Sequence, residues 1–282
     1  MSNSLAVRKL LDETQCLVSP PKVYIKLKAA LDDPSTDFDD LAQFISTDVS
    51  IAARLLKVAN SAMFNFPGQI NSIDRALSLI GTQQTADLVL ATEVLKSFSA
   101  IKSDIFSIED FSKHSLGCAI SSRVLAQYKG EHDIEAHFVN GLLHDTGRLL
   151  LFVKYPEVQR MLIETNKSES APLRTLETQQ YGISHDEIGA TLFRSWELPK
   201  ALVECAAHHH TPMSSEHHSF SAAIVHVADW ITHSVPMGGN GENFVPALDE
   251  SAWLSLGIPE SALEMIMTEI SKQYNSALNL LL

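Results

Sequence analysis

The chain of 282 residues is 45% hydrophobic and 20% charged, which is typical of a globular protein with one large domain or two smaller ones. Its formal net charge of -13 at pH 7 argues against nucleic acid or an anionic membrane as the main partner, because binding to either requires a basic face. No stretch approaches the ~18 unbroken apolar residues of a membrane span, and residues 1–15 lack the apolar core of a signal peptide.

The cysteines Cys16, Cys118 and Cys205 are odd in number and far apart. Their spacing fits neither a disulfide framework nor a cysteine-rich metal site. We interpret them as reduced thiols that act as small core residues. Together with the missing signal peptide, this predicts a cytoplasmic protein.

Helix start and stop signals follow one another through the first hundred residues. Prolines can open a helix, and an Asp or Ser side chain can cap one by accepting a hydrogen bond from a backbone N–H. The predicted starts are Pro20-Pro21, Asp37, Asp48 and Ser72. Gly81 ends the helix after Ser72, and the next helix is predicted to continue to about Phe98.

The remaining chain is predicted to form longer helices, separated by Pro- and Gly-containing loops. Their ranges are 107–129, 135–155, 172–181, 184–196, 199–209, 216–234 and 259–280. The segment 236–241 is predicted to be the most flexible, and no segment alternates as a strand would. The fold class is therefore all-α, with an N-terminal helical subdomain in residues 1–105 and a helical bundle in residues 106–282.

The adjacent residues His144 and Asp145 lie between apolar residues in the run Leu142-Leu143-His144-Asp145-Thr146-Gly147. Burying a charged pair costs free energy unless another group compensates it. A metal ion can do this, and so can a structural ion pair. The pair alone leaves both interpretations open.

Further His and Asp residues lie on other predicted helices, each with apolar neighbours. They are His114, His185, His209, His210 and Asp229. Helices of one bundle can direct such side chains into a shared interior, where imidazole and carboxylate suit Mn, Fe, Zn or Ni. Two such ions can activate a water and hold a phosphate oxygen. The alternative is that each residue is separately paired or solvated. For His185, which lies at a helix start, solvation is the simplest alternative.

The other histidines carry weaker signals. His226 is predicted to be either a core residue or a residue that supports the site, and His208 either a surface residue or a hydrogen-bond donor to the site. The remaining histidines are predicted on the surface: His132, His137, His217, His218 and His233.

The order His, His-Asp, His, His-His, Asp resembles the two-metal form of the HD metal-dependent phosphohydrolase superfamily. Motifs elsewhere are similar to those of one branch, the HD-related output domain (HDOD), over residues 17–235. These motifs are Pro20-Pro21-Lys22-Val23, the run from Asp48 to Leu56, Ala59-Asn60-Ser61-Ala62, Ile73-Asp74-Arg75-Ala76, Leu79-Ile80-Gly81, Ser195-Trp196-Glu197-Leu198-Pro199 and His209-His210.

The resemblance implies a fold of HD type and an arrangement of ligands. His114, His144, Asp145 and Asp229 would surround one divalent ion. His185, His209 and His210 would hold a second ion, with Asp145 bridging the two. The implied catalytic residues are Asp145 and Arg148, the latter as a phosphate-binding fork at a position where many catalytic relatives have lysine.

The sequence departs from the branch of the superfamily that degrades cyclic-di-GMP. In that branch an acidic loop containing Gly-Tyr-Pro follows the His-His pair, whereas this chain has Thr211-Pro212-Met213. The departure argues against hydrolysis of cyclic-di-GMP. A phosphomonoester or a nucleotide remains as the expected substrate class.

Two functions remain open at this stage. The first is a metal-dependent phosphohydrolase in bacterial signal transduction, with two divalent transition-metal ions as cofactors and a phosphate-containing small molecule as substrate. The second is a signalling module without catalysis, which binds a partner protein and whose metal site is structural or lost. Both functions imply a signalling partner protein, and neither implies nucleic acid or a membrane.

Overall fold

The computed structural model describes residues 21–61, 64, 66–99 and 105–281. These residues form helices and loops and contain no strand, so the all-α prediction is confirmed. Residues 1–15, for which we predict no signal peptide, lie outside the described part, as do Cys16 and Pro20. No helix in the described part combines the length and apolarity that a bilayer crossing requires.

The helices are named in chain order. The first group is α1 (Lys22–Asp32), α2 (Phe38–Thr47), α3 (Val49–Ala59), α4 (Ile73–Ile80) and α5 (Thr82–Ser99). The second group is α6 (Ile108–Lys129), α7 (Ile134–Leu143), α8 (Thr146–Lys154), α9 (Pro156–Glu169), α10 (Leu173–Tyr181), α11 (His185–Ser195), α12 (Lys200–His208), α13 (Ser219–Ser234), α14 (Glu250–Leu256) and α15 (Leu263–Leu281). Short 3-10 turns occur at Pro212–Ser214 and Glu260–Ala262.

The predicted caps in the first group are present. Asp37 accepts a hydrogen bond from the backbone N–H of Asp40, whose side chain accepts one from Asp37 in return. Asp48 and Ser72 each accept bonds from backbone N–H groups in the first turn of α3 and α4. Each such cap is worth about 1 kcal/mol, because it satisfies a donor that the helix itself leaves free.

Helix α6 lies at the centre of the fold and packs against α7, α13 and α15. Two glycines allow this packing to be close. A Cβ on Gly117 would lie 2.8 Å from Thr232 Cγ2 of α13, and one on Gly141 of α7 would lie 2.6 Å from the carbonyl oxygen of Cys118. These contacts bring α6, α7 and α13 together around one interior.

The hydrophobic core is continuous between the two groups of helices. It extends from Tyr24 in α1 to Ala277 in α15, and α15 itself packs against both α3 and α6. The division at residues 105 and 106 stays a prediction.

The structure corrects the predicted helix 135–155, which is divided into α7 and α8. His144 and Asp145 form the turn between the two helices. Here the Thr146 hydroxyl donates to the Leu143 carbonyl at 2.8 Å, and His144 Nδ1 lies 2.7 Å from the Gly141 carbonyl. Such local bonds compete with the helical backbone ladder.

Helices α9 and α14 were not predicted from the sequence. Helix α9 is largely polar, and its buried apolar residue Leu162 packs in a small separate cluster with Leu173 and Leu176. A short apolar contact of this kind leaves little periodicity in the sequence. Helix α14 is only 7 residues long.

Replacing Asp87 with asparagine is expected to stabilise the protein by about 2 to 3 kcal/mol at pH 7.5. Burial raises the pKa of Asp87 from 3.8 to about 6. A hydrogen bond donated by Gln83 lowers this pKa, but burial has the larger effect. The folded state therefore holds the Asp87 proton more tightly than the unfolded state does. The stability of the wild-type protein falls as the pH rises from 3.8 to about 6. Asparagine keeps an acceptor for Gln83 and carries no charge.

The measurement is the free energy of unfolding in urea at pH 4.5 and 7.5. The advantage of Asp87→Asn over wild type should be smaller at pH 4.5, where Asp87 is already protonated in the folded protein. Asp74→Asn, at an exposed position, is the control and should leave stability nearly unchanged at both pH values. An equal advantage at both pH values would contradict the expectation.

Candidate metal centre

The predicted site residues converge in one interior, although they come from different helices. His114 lies on α6, His144 and Asp145 on the turn between α7 and α8, His185 at the start of α11, His209 and His210 after α12, and Asp229 on α13. All except His210 are buried, and the exposed fraction of Asp229, the largest of these, is 5%. The fold thus brings every predicted ligand into a single cluster, in which only His210 is partly exposed.

The first part of the cluster contains His114, His144 and Asp229. Asp229 Oδ1 lies 3.0 Å from His114 Nε2 and 3.6 Å from His144 Nε2. Cys118 also belongs to it, since its Sγ is 3.6 Å from both His114 Nε2 and Asp229 Oδ1. We call these four residues the first group; their ligand atoms all lie within 4.8 Å of one another.

The second part contains His185, His209 and His210, which we call the second group. His185 Nε2 lies 2.9 Å from His210 Nε2 and 3.4 Å from His209 Nε2. Three imidazole nitrogens therefore face one another at distances suited to a shared ligand or proton.

Asp145 lies between the two groups. Its Oδ1 is 3.2 Å from His185 Nε2 and 3.7 Å from His209 Nε2. Its Oδ2 is 3.7 Å from His144 Nε2. This is the position that the family resemblance implies for a bridging carboxylate.

Backbone carbonyls orient two of the imidazoles. His144 Nδ1 donates to the Gly141 carbonyl at 2.7 Å, and His209 Nδ1 donates to the Ala206 carbonyl at 2.9 Å. A carbonyl only accepts, so these Nδ1 atoms carry hydrogen in the neutral rings. The Nε2 lone pairs consequently face the cluster, as metal-binding histidines require.

The carboxylates of the cluster are ionised. Burial opposes ionisation of Asp145, but the charges of Arg148 and His144 hold its pKa well below the usual range. Burial also opposes ionisation of Asp229, and His233 and His114 hold its pKa low as well. The interior therefore carries negative charge that a cation can neutralise.

The imidazoles differ in their affinity for protons. Burial lowers the pKa of His209 to about 3 and that of His210 well below the usual value, so both rings are neutral at pH 7. Burial opposes protonation of His144 too, but Asp145 and Asp229 outweigh it and raise its pKa. A proton or another cation is thus favoured beside His144.

Unpartnered buried atoms support a metal at this place. Among the described residues, His144 Nε2 and Asp145 Oδ1 are buried and have no hydrogen-bonding partner. Leaving such an atom unsatisfied costs about 1 to 3 kcal/mol. Imidazole nitrogen and carboxylate oxygen are ligands of divalent transition metals, so the residues present fit such an ion.

Two glycines bring His185 against Asp145. Gly147 of α8 meets Gly189 of α11, and a Cβ on Gly147 would lie 2.5 Å from Gly189 N and even closer to the carbonyl oxygen of His185. The backbones of α8 and α11 are therefore in direct contact.

Arg148 points into the second group, with an exposed fraction of 1%. Its Nη2 is 3.1 Å from His185 Nε2, and its Nη1 donates to the Asn240 carbonyl at 3.3 Å. Its Nε is 3.7 Å from Asp145 Oδ2. The predicted phosphate-binding arginine is thus enclosed within the cluster.

Residues 17–212 match the HDOD domain family, and this range is more than half of the chain. The chain belongs to the HDOD family. The resemblance seen in the sequence motifs is thereby confirmed.

One protein and two solved structures illustrate what this chain is similar to. The chain is 26% identical over 194 residues to an uncharacterized protein from Treponema pallidum (strain Nichols). The aligned region is 67% of this chain but only 37% of that relative. A crystal structure of an HDOD domain protein of unknown function from Geobacter sulfurreducens is 22% identical, with a TM-score of 0.77 and 97% of each chain covered. That of a "putative phosphohydrolase" from Shewanella amazonensis SB2B is 25% identical, with a TM-score of 0.75 and 98% of each chain covered.

The HDOD match ends before several residues of the cluster. Asp229 lies beyond residue 212, and so does Asn240, whose Nδ2 donates to Asp145 Oδ2 at 2.6 Å. Asn240 belongs to the segment 236–241, which was predicted to be the most flexible. Instead, Asn240 is 2% exposed and Gly239 N donates to the Asp110 carbonyl at 3.1 Å, so the segment covers the cluster.

The surface prediction is wrong for His233 and His137. The side chain of His233 is 7% exposed, and its Nε2 lies 3.4 Å from Asp229 Oδ1. Its position four residues after Asp229 on one helix was the available signal. His137 is 5% exposed.

Cys118 and Glu177 were not predicted as parts of the site. The Cys118 thiol is buried, as expected of a core cysteine, but it lies in the first group. Glu177 Oε2 lies 2.6 Å from His185 Nδ1 and accepts from the backbone N–H of His185 at 3.0 Å. Cys118 lies four residues after His114 on α6, so helical spacing was the available signal for it, whereas no local pattern marks Glu177.

His226 supports the site, in agreement with its prediction. Its Nδ1 donates to the His209 carbonyl at 2.8 Å, and its Nε2 accepts from the backbone N–H of Asp249 at 2.9 Å. These bonds hold the end of α12, from which His209 enters the cluster.

Proposed function

We propose that this HDOD protein is a metal-dependent phosphohydrolase in bacterial signal transduction. The observation that carries the proposal is the pair of buried, unpartnered atoms His144 Nε2 and Asp145 Oδ1 within a cluster of imidazoles and carboxylates. The expected substrate is a phosphomonoester or a nucleotide. We also propose a cytoplasmic location and a signalling partner protein.

The metal would be held first by His114, His144 and Asp229, with Asp145 beside them. Fe, Mn, Ni and Zn all suit this donor set. When bound, such an ion would supply a Lewis acid for a phosphate oxygen and an acidified water. The second ion that the resemblance implies, at the second group, stays a prediction.

The chain's own residues would complete the chemistry. Asp145, ionised and between the two groups, can accept a proton from a water. Arg148 supplies a fixed positive charge for a phosphate oxygen. Glu177 and the carbonyls of Gly141 and Ala206 keep the imidazoles in one orientation.

A second candidate function is a metal-binding signalling module without turnover. It is favoured by the cover over the cluster, because Asn240 bonds to Asp145 and to Arg148. A phosphate ester can reach Asp145 only if the segment 236–241 moves. In such a signalling module, the metal ion would have a structural role in the interior.

The first test is the metal content of untagged protein after loading with Zn²⁺ and desalting. Wild type is expected to retain zinc, and His144→Gln is expected to weaken zinc binding by more than about 100-fold, since a direct ligand is lost. His132→Gln, at an exposed position, is the control and should bind like wild type. A folded wild-type protein without zinc, manganese, iron or nickel would refute the metal centre.

The second test separates the enzyme from the module. Metal-loaded wild type is screened against phosphomonoesters, nucleotides and phosphodiesters, with Asp145→Asn as the comparison. Turnover that disappears in Asp145→Asn while the fold persists supports the phosphohydrolase. Bound metal without turnover of any of these compounds supports the module.

A further inference from the structure

The second group differs from the first group in one respect: a guanidinium lies within it. Arg148 Nη2 is 3.1 Å from His185 Nε2, the same nitrogen that faces His209 and His210. No Lys or Arg has an ion pair or hydrogen bond with the first group among the contacts of the described residues. The two groups therefore offer different surroundings to a cation.

The contacts of His185 show which charged groups lie beside its two ring nitrogens. Glu177 Oε2 lies 2.6 Å from His185 Nδ1, so Nδ1 carries the hydrogen of the neutral ring and donates it to the carboxylate. This leaves Nε2 as an acceptor. Arg148 Nη2 lies 3.1 Å from Nε2 and 3.2 Å from Nδ1, so the guanidinium lies against the imidazole and places its charge beside the nitrogen that a metal would need.

Arg148 is held in this place by its other contacts. Its Nη1 donates to the Asn240 carbonyl at 3.3 Å, and its Nε lies 3.7 Å from Asp145 Oδ2. The side chain is enclosed, and arginine keeps its charge in proteins. A divalent ion bound to His185 would therefore stand beside a fixed positive charge in an interior that screens little.

We propose that the guanidinium of Arg148 takes the place of the second metal ion, so that the centre holds a single ion. This ion lies in the first group, and the second group is a cluster of imidazoles around Arg148. The inference rests on the metal centre of the proposed function. It replaces the expectation of two ions with one ion per chain.

The test is the number of Zn²⁺ ions per chain in untagged full-length protein, determined by elemental analysis and native mass spectrometry after loading and desalting. One ion is the expected result. Two ions would overturn the inference and leave the metal centre intact. No ion would refute the metal centre and the inference with it.

Ligand variants locate the single ion. His144→Gln is expected to reduce the content from one ion to none, because His144 belongs to the first group. His210→Gln, in the second group, is expected to retain one ion. Loss of the ion in His210→Gln, with His144→Gln still loaded, would place it at the second group and overturn the inference.

Removal of the guanidinium tests its role directly. Arg148→Met is expected to bind two ions, because the fixed positive charge beside His185 is gone. Arg194→Met, at an exposed position on α11, removes the same charge elsewhere and should keep one ion. A folded Arg148→Met protein that holds one ion would overturn the inference. If this variant does not fold, the wild-type ion count and the His210→Gln result still test whether the centre holds a single ion in the first group.

Discussion

Replacing Gly147 with alanine is expected to destabilise the protein by more than about 4 kcal/mol. The added Cβ would meet the backbone of α11, at 2.5 Å from Gly189 N and closer still to the His185 carbonyl oxygen. Backbone atoms in a packed helix cannot rotate away as a flexible side chain can. Helices α8 and α11 would have to separate, which would also part Asp145 from His185.

The measurement is the free energy of unfolding in urea, followed by the helical circular dichroism signal. Gly239→Ala is a matched control, because a Cβ there meets nothing within 4 Å, and a change within about 0.5 kcal/mol is expected. Gly189→Ala should fall between the two, since its nearest contact is 3.3 Å. If Gly147→Ala unfolds at the same urea concentration as Gly239→Ala, the close approach of α8 and α11 is wrong.

Replacing Glu135 with alanine is expected to cost about 3 to 5 kcal/mol, because it leaves the buried charge of Arg123 without its partner. Arg123 donates from Nε at 3.2 Å and from Nη2 at 3.1 Å to the Glu135 carboxylate. Its Nη1 also donates to Gln273 Oε1 at 3.4 Å. The pair therefore joins α6 to α7 and α15, and both side chains are buried.

A surface pair and a double variant provide the controls for Glu135. Glu109→Ala removes the partner of Lys113, but Glu109 is 72% exposed, so only a small loss of stability is expected. The double variant Arg123→Met/Glu135→Leu should recover much of the stability that Glu135→Ala loses, because no buried charge remains. A double variant as unstable as Glu135→Ala would mean that packing, not charge, causes the loss.

Local signals in the sequence predicted most of the helices and indicated which His and Asp residues share an interior. Asp37, Asp48 and Ser72 cap the helices they were expected to cap, since a cap depends on residues only two or three positions apart. The family motifs led to the HDOD assignment. The polar residues His144 and Asp229, each within an apolar run, indicated that they share an interior.

The arrangement inside that interior depends on contacts between distant parts of the chain. Arg148 meets Asn240, and Cys118 meets Asp229, across separations that no periodic pattern encodes. The break between α7 and α8 likewise depends on Thr146 and His144 bonding back to the preceding turn.

The sequence by itself therefore determined the fold class, the family and the residue types of the cluster, because these follow from local periodicity, capping and motifs. Only the tertiary structure decided which atoms face one another. Helix packing sets those distances, and in this chain it places a guanidinium, rather than open space, against His185.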